Sequence, residues 1–132
     1  MESLFKIKTP LTPQISFDGV TGILELSGRS LPEVALNTYK PLLEWLDAYL
    51  AEPLDETLMV FRLSYFNTSS SKYIMEMLKK MEVAYKNKIS VKAIWYCEDD
   101  DIHDLANDYK ALVDIPMEIH QINNEEEEEE DN

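Results

Sequence analysis

The sequence has a single cysteine among its 132 residues, Cys97. One thiol excludes an internal disulfide, and a chain that folds without bridges suits a reducing cytoplasm. No apolar run approaches the roughly 20 residues that span a bilayer. The start, Met1-Glu2-Ser3-Leu4-Phe5-Lys6, has no long apolar run behind basic residues, which predicts no secretory signal. Basic residues are scarce: 12 Lys and Arg stand against 26 Asp and Glu, for a net charge of −14. The run Glu125 to Asp131 holds seven of the negative charges, so the remainder carries −7. A body this acidic argues against nucleic acid, whose phosphates call for Lys and Arg, and against anionic membrane surfaces. It permits basic protein partners and favours solubility. Also missing are a Gly-rich phosphate loop and a nucleophile elbow. His103, His120 and Cys97 have no second His or Cys at metal-ligand spacing. They read as packed or exposed side chains without a special role, and no cofactor is implied. Met75, Met77 and Met81 read as core and helix surface.

What is present is enough for one core. A chain of this length forms a single domain and buries roughly two thirds of its unfolded surface. Residues 1–122 read as that domain and 123–132 as a disordered, low-complexity acidic tail. Leu4 to Lys8 predicts a short edge strand interrupted by Pro10 and Pro13. Gln14 to Phe17 and Val20 to Ser27 predict a hairpin joined at Asp18-Gly19. Ser30 and Pro32 stand where a cap and a first helical residue belong, ahead of a helix ending near Ala51. In that helix Leu42, Trp45, Leu46, Tyr49 and Leu50 form one apolar face, and Pro41 is expected to bend or divide it. Thr57 to Tyr65 is a strand, Tyr73 to Tyr85 a helix and Ile89 to Tyr96 a strand. A helix carrying Ile102, Leu105, Tyr109, Leu112 and Val113 follows, then a last strand, Ile115 to Ile119. The alternation from Thr57 onwards predicts parallel strands joined by crossovers. The expected fold is α/β: a mixed sheet of about four or five strands, with an N-terminal hairpin and helices packed against it.

Beside the lone His and Cys side chains, two further features could carry chemistry. Glu98-Asp99-Asp100-Asp101 follows a strand, where carboxylates hold Mg²⁺ in phosphate-handling enzymes. Acids also favour a helix N-terminus without metal, with Asp101 a plausible cap, or form a patch facing a partner. Lys79, Lys80, Lys86 and Lys88 read as a solvated helix end. The second feature is Asn67-Thr68-Ser69-Ser70-Ser71, between a strand and a helix. One hydroxyl suffices for a cap, so three more need another reason. They are either a redundant polar loop or the target of a phosphorylation switch. Phosphate on Thr68 would add about −1.5 to −2 charge, tolerated at a helix start but costly against a docked partner of like charge.

Tyr65-Phe66-Asn67-Thr68-Ser69-Ser70-Ser71-Lys72 closely resembles the signature of the SiaC family of bacterial regulatory phosphoproteins. Ser30-Leu31-Pro32-Glu33, Tyr39-Lys40-Pro41-Leu42, Trp95-Tyr96-Cys97-Glu98-Asp99 and Ile115-Pro116-Met117-Glu118 resemble further family segments in order. The likeness covers about residues 10–122. Val34 and Ala106-Asn107 depart from the family pattern, and the acidic tail lies outside it. The resemblance implies a STAS-like fold, as in anti-sigma factor antagonists, and a non-catalytic switch in bacterial signalling. It implies Thr68 as the phosphorylated residue, with Asn67, Ser69 and Ser70 beside it at the partner-binding loop. It further implies a partner protein kinase, a PP2C-type phosphatase, and an output protein such as a diguanylate cyclase, bound and activated by the unphosphorylated form. Cyclic di-GMP and biofilm formation would be the output. The rival readings are a small Mg-dependent hydrolase using Glu98 to Asp101 and a constitutive scaffold.

Overall fold

In the computed structural model the described residues are 1–122; the acidic stretch 123–132 lies outside them. Two rows of side chains explain the sheet. Successive strand residues point to opposite faces, and the register aligns Leu4, Phe17, Leu24, Met59, Ala93 and Met117 in one row. Ile15, Leu26, Phe61, Trp95 and Ile119 form the next. Phe17, Leu24, Leu26, Met59, Phe61, Ala93 and Trp95 are completely buried. This is the face the helices cover.

The strands are β1 (Leu4–Lys6), β2 (Gln14–Phe17), β3 (Ile23–Ser30), β4 (Thr57–Phe66), β5 (Val91–Cys97) and β6 (Met117–Gln121). They lie side by side in chain order, β1 to β6. The β1–β2 and β2–β3 pairs are antiparallel; β3–β4, β4–β5 and β5–β6 are parallel. The sheet therefore has six strands, more than the four or five expected, with its N-terminal hairpin and mixed pairing as predicted. Each of the six corresponds to a segment read as a strand from the sequence, and the short β1 and β6 both pair to form the sheet's two edges.

The connecting helices are α1 (Ala35–Ala51), α2 (Thr68–Lys86) and α3 (Asp100–Leu112). Tyr39, Leu42, Leu46 and Tyr49 bury one stripe of α1, and Ile74, Met77, Leu78 and Met81 one stripe of α2. Each fully buried Leu contributes about 1.5–3 kcal/mol relative to exposure. Pro41 neither divides α1 nor ends it. It forfeits one hydrogen bond, to the carbonyl of exposed Asn37, and the buried stripe on both sides outweighs that loss.

The opposite face of the sheet carries Glu25, Val60, Ile94 and Glu118 in register. Arg62 bonds Glu25 at 2.7 Å and lies 4.0 Å over the Tyr96 ring. The hairpin turn is longer than Asp-Gly alone. Asp18 Oδ1 accepts from the Val20 and Thr21 amides, and Gly22 takes a positive φ of 78°. A Cβ there would lie 2.5 Å from the Glu56 carbonyl, so the turn needs glycine at that point.

Candidate functional site

Because β3 to β6 are parallel, their carboxyl ends share one rim of the sheet, where α2 and α3 begin. At that rim the Asn67 amide donates to the Ser30 carbonyl at 3.0 Å, continuing the β3–β4 pairing one step beyond Phe66. The Asn67 side chain then accepts from the Ser70 amide at 2.9 Å. Asn67 is thus the N-cap of α2, the role for which Asn is among the best residues. The helix begins at Thr68, five residues before the expected Tyr73. The cap is supplied by none of the four hydroxyls.

Those four hydroxyls have three different surroundings. Ser70 is fully buried. Its Oγ lies 2.8 Å from Ser30 Oγ and donates to the Ser30 carbonyl at 3.2 Å. Ser30 Oγ is also 2.6 Å from the Tyr39 hydroxyl. The three side chains tie α2 to β3 and α1 beneath the rim. Burial raises the Tyr39 pKa, while hydrogen bonding with Ser30 and Ser70 opposes the rise. The Tyr39 ring stacks on Tyr73, with centroids 5.3 Å apart and planes within 1° of parallel. Ser71 donates to the Thr68 carbonyl at 2.7 Å, and its own carbonyl accepts from Tyr109 of α3 at 2.9 Å. Burial again leads the rise in the Tyr109 pKa. Thr68 and Ser69 are exposed.

This corrects two expectations. Ser30 is the last residue of β3, not a helix cap; α1 starts after Val34, which makes no side-chain cap bond. Ser70, expected among residues that touch a partner, has no exposed surface and acts through its buried bonds. Asn67 is half-buried and occupied as a cap, which leaves Thr68 and Ser69 as the open hydroxyls. Ser30 and Tyr39 were not singled out as site residues. One signal was present: Ser30 keeps the even-numbered parity of the core residues Leu24 and Leu26. A hydroxyl in a core position implies a buried partner.

The acids of the rim have structural work. Asp99, rather than Asp101, caps α3 by accepting from the Ile102 amide at 2.9 Å. Asp100 and Asp101 occupy its first turn, where negative charge meets the helix dipole. Among the described residues no group of three or more His, Cys, Asp or Glu could hold a metal ion. Cys97 is buried, and its pKa is raised to about 11, by burial first and by the Asp99 charge second. That is the reverse of what a nucleophilic thiol requires. No helix among the described residues is long and apolar enough to cross a membrane.

The site and the fold that carries it have relatives. The family model described as SiaC family regulatory phosphoprotein matches residues 7–122. An uncharacterized protein of Pseudomonas aeruginosa strain UCBPP-PA14 is 28% identical over 113 residues, which are 84% of this chain and 90% of that protein. The structure of SiaC of Pseudomonas aeruginosa superposes with a TM-score of 0.86 at 29% identity, covering 92% of this chain and 100% of the other. A crystal structure of the diguanylate cyclase SiaD with its activator SiaC, from the same organism, contains a chain that matches at TM-score 0.86 and 27% identity. That match covers 90% of this chain and 99% of the other. With nearly all of the described domain inside the family match, the chain belongs to the SiaC family of regulatory phosphoproteins.

Proposed function

We propose that this chain is a non-catalytic, cytoplasmic switch whose state is set by phosphate on Thr68. A partner protein kinase adds the phosphate and a PP2C-type phosphatase removes it. The unphosphorylated form binds and activates an output protein, for which a diguanylate cyclase is the leading candidate. One observation carries the reading. Thr68 is the exposed first residue of α2, while Asn67, Ser70 and Ser71 around it are already engaged. Phosphate there alters what a partner meets and leaves the bonds beneath intact. The phosphate lies at the positive end of the helix, where an anion is stabilised by about 0.3–1 kcal/mol. Against an acidic or closely fitted partner surface, the same charge opposes docking by several kcal/mol, and each 1.4 kcal/mol is about tenfold in affinity. The SiaC–SiaD complex supports an output protein of the cyclase class.

The test is affinity capture from the native cell with full-length Thr68→Ala and Thr68→Asp baits, beside intact-mass mapping of the endogenous protein. The expected result is an output protein retained by Thr68→Ala and weakened with Thr68→Asp, and a phosphorylated species mapped to Thr68. Equal capture by both baits, with phosphate absent from Thr68 or mapped to Ser69, overturns the assignment.

A further inference from the structure

We propose that Lys72 reads the state of Thr68: as the hydroxyl becomes a phosphate, the Lys72 ammonium pairs with it and is withdrawn from the surface. The inference rests on Thr68 being the phosphorylated residue and adds the side chain through which the charge is felt.

Three observations place Lys72 in this role. It stands four residues after Thr68 on one helix, so the two side chains share a face. An anion N-terminal to a cation is the favourable order for such a pair. Lys72 is exposed and has no carboxylate partner among the described residues. Lys79 and Lys80, further along the same helix, are held by Glu82 and Asp47. Lys72 also lines both grooves that flank the start of α2. The groove toward α1, a cavity of about 460 Å³, includes Leu36, Ser69, Tyr73 and Glu76. The groove toward α3, about 400 Å³, includes Met75, Leu105 and Asp108. No other side chain belongs to both.

With Thr68 unmodified, Lys72 offers three N–H donors to whatever docks across this helix. With Thr68 phosphorylated, those donors face three phosphate oxygens four residues away. Glu76 and Asp108 are the carboxylates within the same two grooves, and a phosphate of nearly double charge outcompetes either. Phosphorylation therefore subtracts a cation from the docking surface as well as adding an anion.

The test needs no identified partner. Full-length protein carrying phosphothreonine at position 68, installed during translation, is titrated by ³¹P NMR. A neighbouring ammonium favours the dianion and lowers the second phosphate pKa. Lys72→Met should raise that pKa by about 0.2–0.4, the range for a helical pair of this spacing. Lys72→Arg should restore it. Lys79→Met, which removes the same charge two turns further along, should leave it unchanged. If Lys72→Met and Lys79→Met behave alike, the pairing does not exist. This readout is independent of whether phosphate on Thr68 governs capture of an output protein, so either idea can fail without the other.

Discussion

Replacing Ser30 by alanine tests the claim that three buried hydroxyls hold the rim together. Ser30 Oγ is shared, 2.6 Å from the Tyr39 hydroxyl and 2.8 Å from Ser70 Oγ. In Ser30→Ala, Ser70 keeps a second acceptor, the carbonyl of residue 30 at 3.2 Å. The Tyr39 hydroxyl loses its short bond while remaining buried. A buried polar group left unpaired costs about 1–3 kcal/mol, whereas a typical hydrogen bond contributes about 0.5–1.5. Tyr39→Phe removes the hydroxyl that would be stranded and leaves Ser30 bonded to Ser70, so it should cost the smaller amount. The informative protein is the double variant, Ser30→Ala with Tyr39→Phe. It strands nothing, so it should be no less stable than Ser30→Ala alone. Urea unfolding measures this. With a slope of about 1–3 kcal/mol per molar, a 2 kcal/mol loss lowers the midpoint by about 1 M. If the two single losses simply add in the double variant, the three hydroxyls are not a coupled unit, and the structural account of the rim is wrong.

Two further outcomes follow from titrating groups. The hydrogen bond donated by the Val20 amide holds the Asp18 carboxyl below its ordinary pKa; burial, the next effect in size, opposes it, and hydrogen bonds from Thr21 and Ser3 add to the lowering. The stability it contributes is present above about pH 3.9 and is lost as pH falls through the lower native value. Asp18→Asn should flatten the acid limb of a stability–pH curve below about pH 4, leaving the neutral region parallel to wild type; an unchanged acid limb refutes this. Cys97 is fully buried with a pKa near 11, so only about one thiol in a thousand is ionised at pH 8. A thiol reagent should modify it no faster than the protein unfolds, and rapid labelling of the folded protein would contradict its placement.

The core strands were readable because β4 and β5 lie centrally, under the helices, and so are rich in Val, Phe, Leu, Ile and Trp. The start of α2 was less readable. Thr68 to Lys72 has no apolar residue to mark a helical stripe, since that turn stands above the core on the rim. The signal to heed was Asn67, whose side chain reaches the Ser70 amide. A similar shift moved the α3 cap from Asp101 to Asp99, because four consecutive acids offer several candidate caps and only backbone geometry selects one. The Ser30–Tyr39–Ser70 contact spans 40 residues and depends on the β3–β4 register together with the placement of α1. No local pattern contains that information. The position of Thr68 between a strand and a helix, by contrast, follows from the local pattern alone, and the structure puts its side chain in the open.

The unbroken order of strands from β1 to β6 has a bearing on what this fold is suited to meet. In doubly wound sheets the order reverses midway, neighbouring crossovers part to opposite sides, and the gap between them becomes a crevice for a nucleotide or other small molecule. Here each parallel crossover advances in the same sense, so no point of reversal arises along the sheet. What the carboxyl edge offers instead is the exposed start of α2 with an open groove on either side, a relief spread over three helices rather than gathered into one crevice.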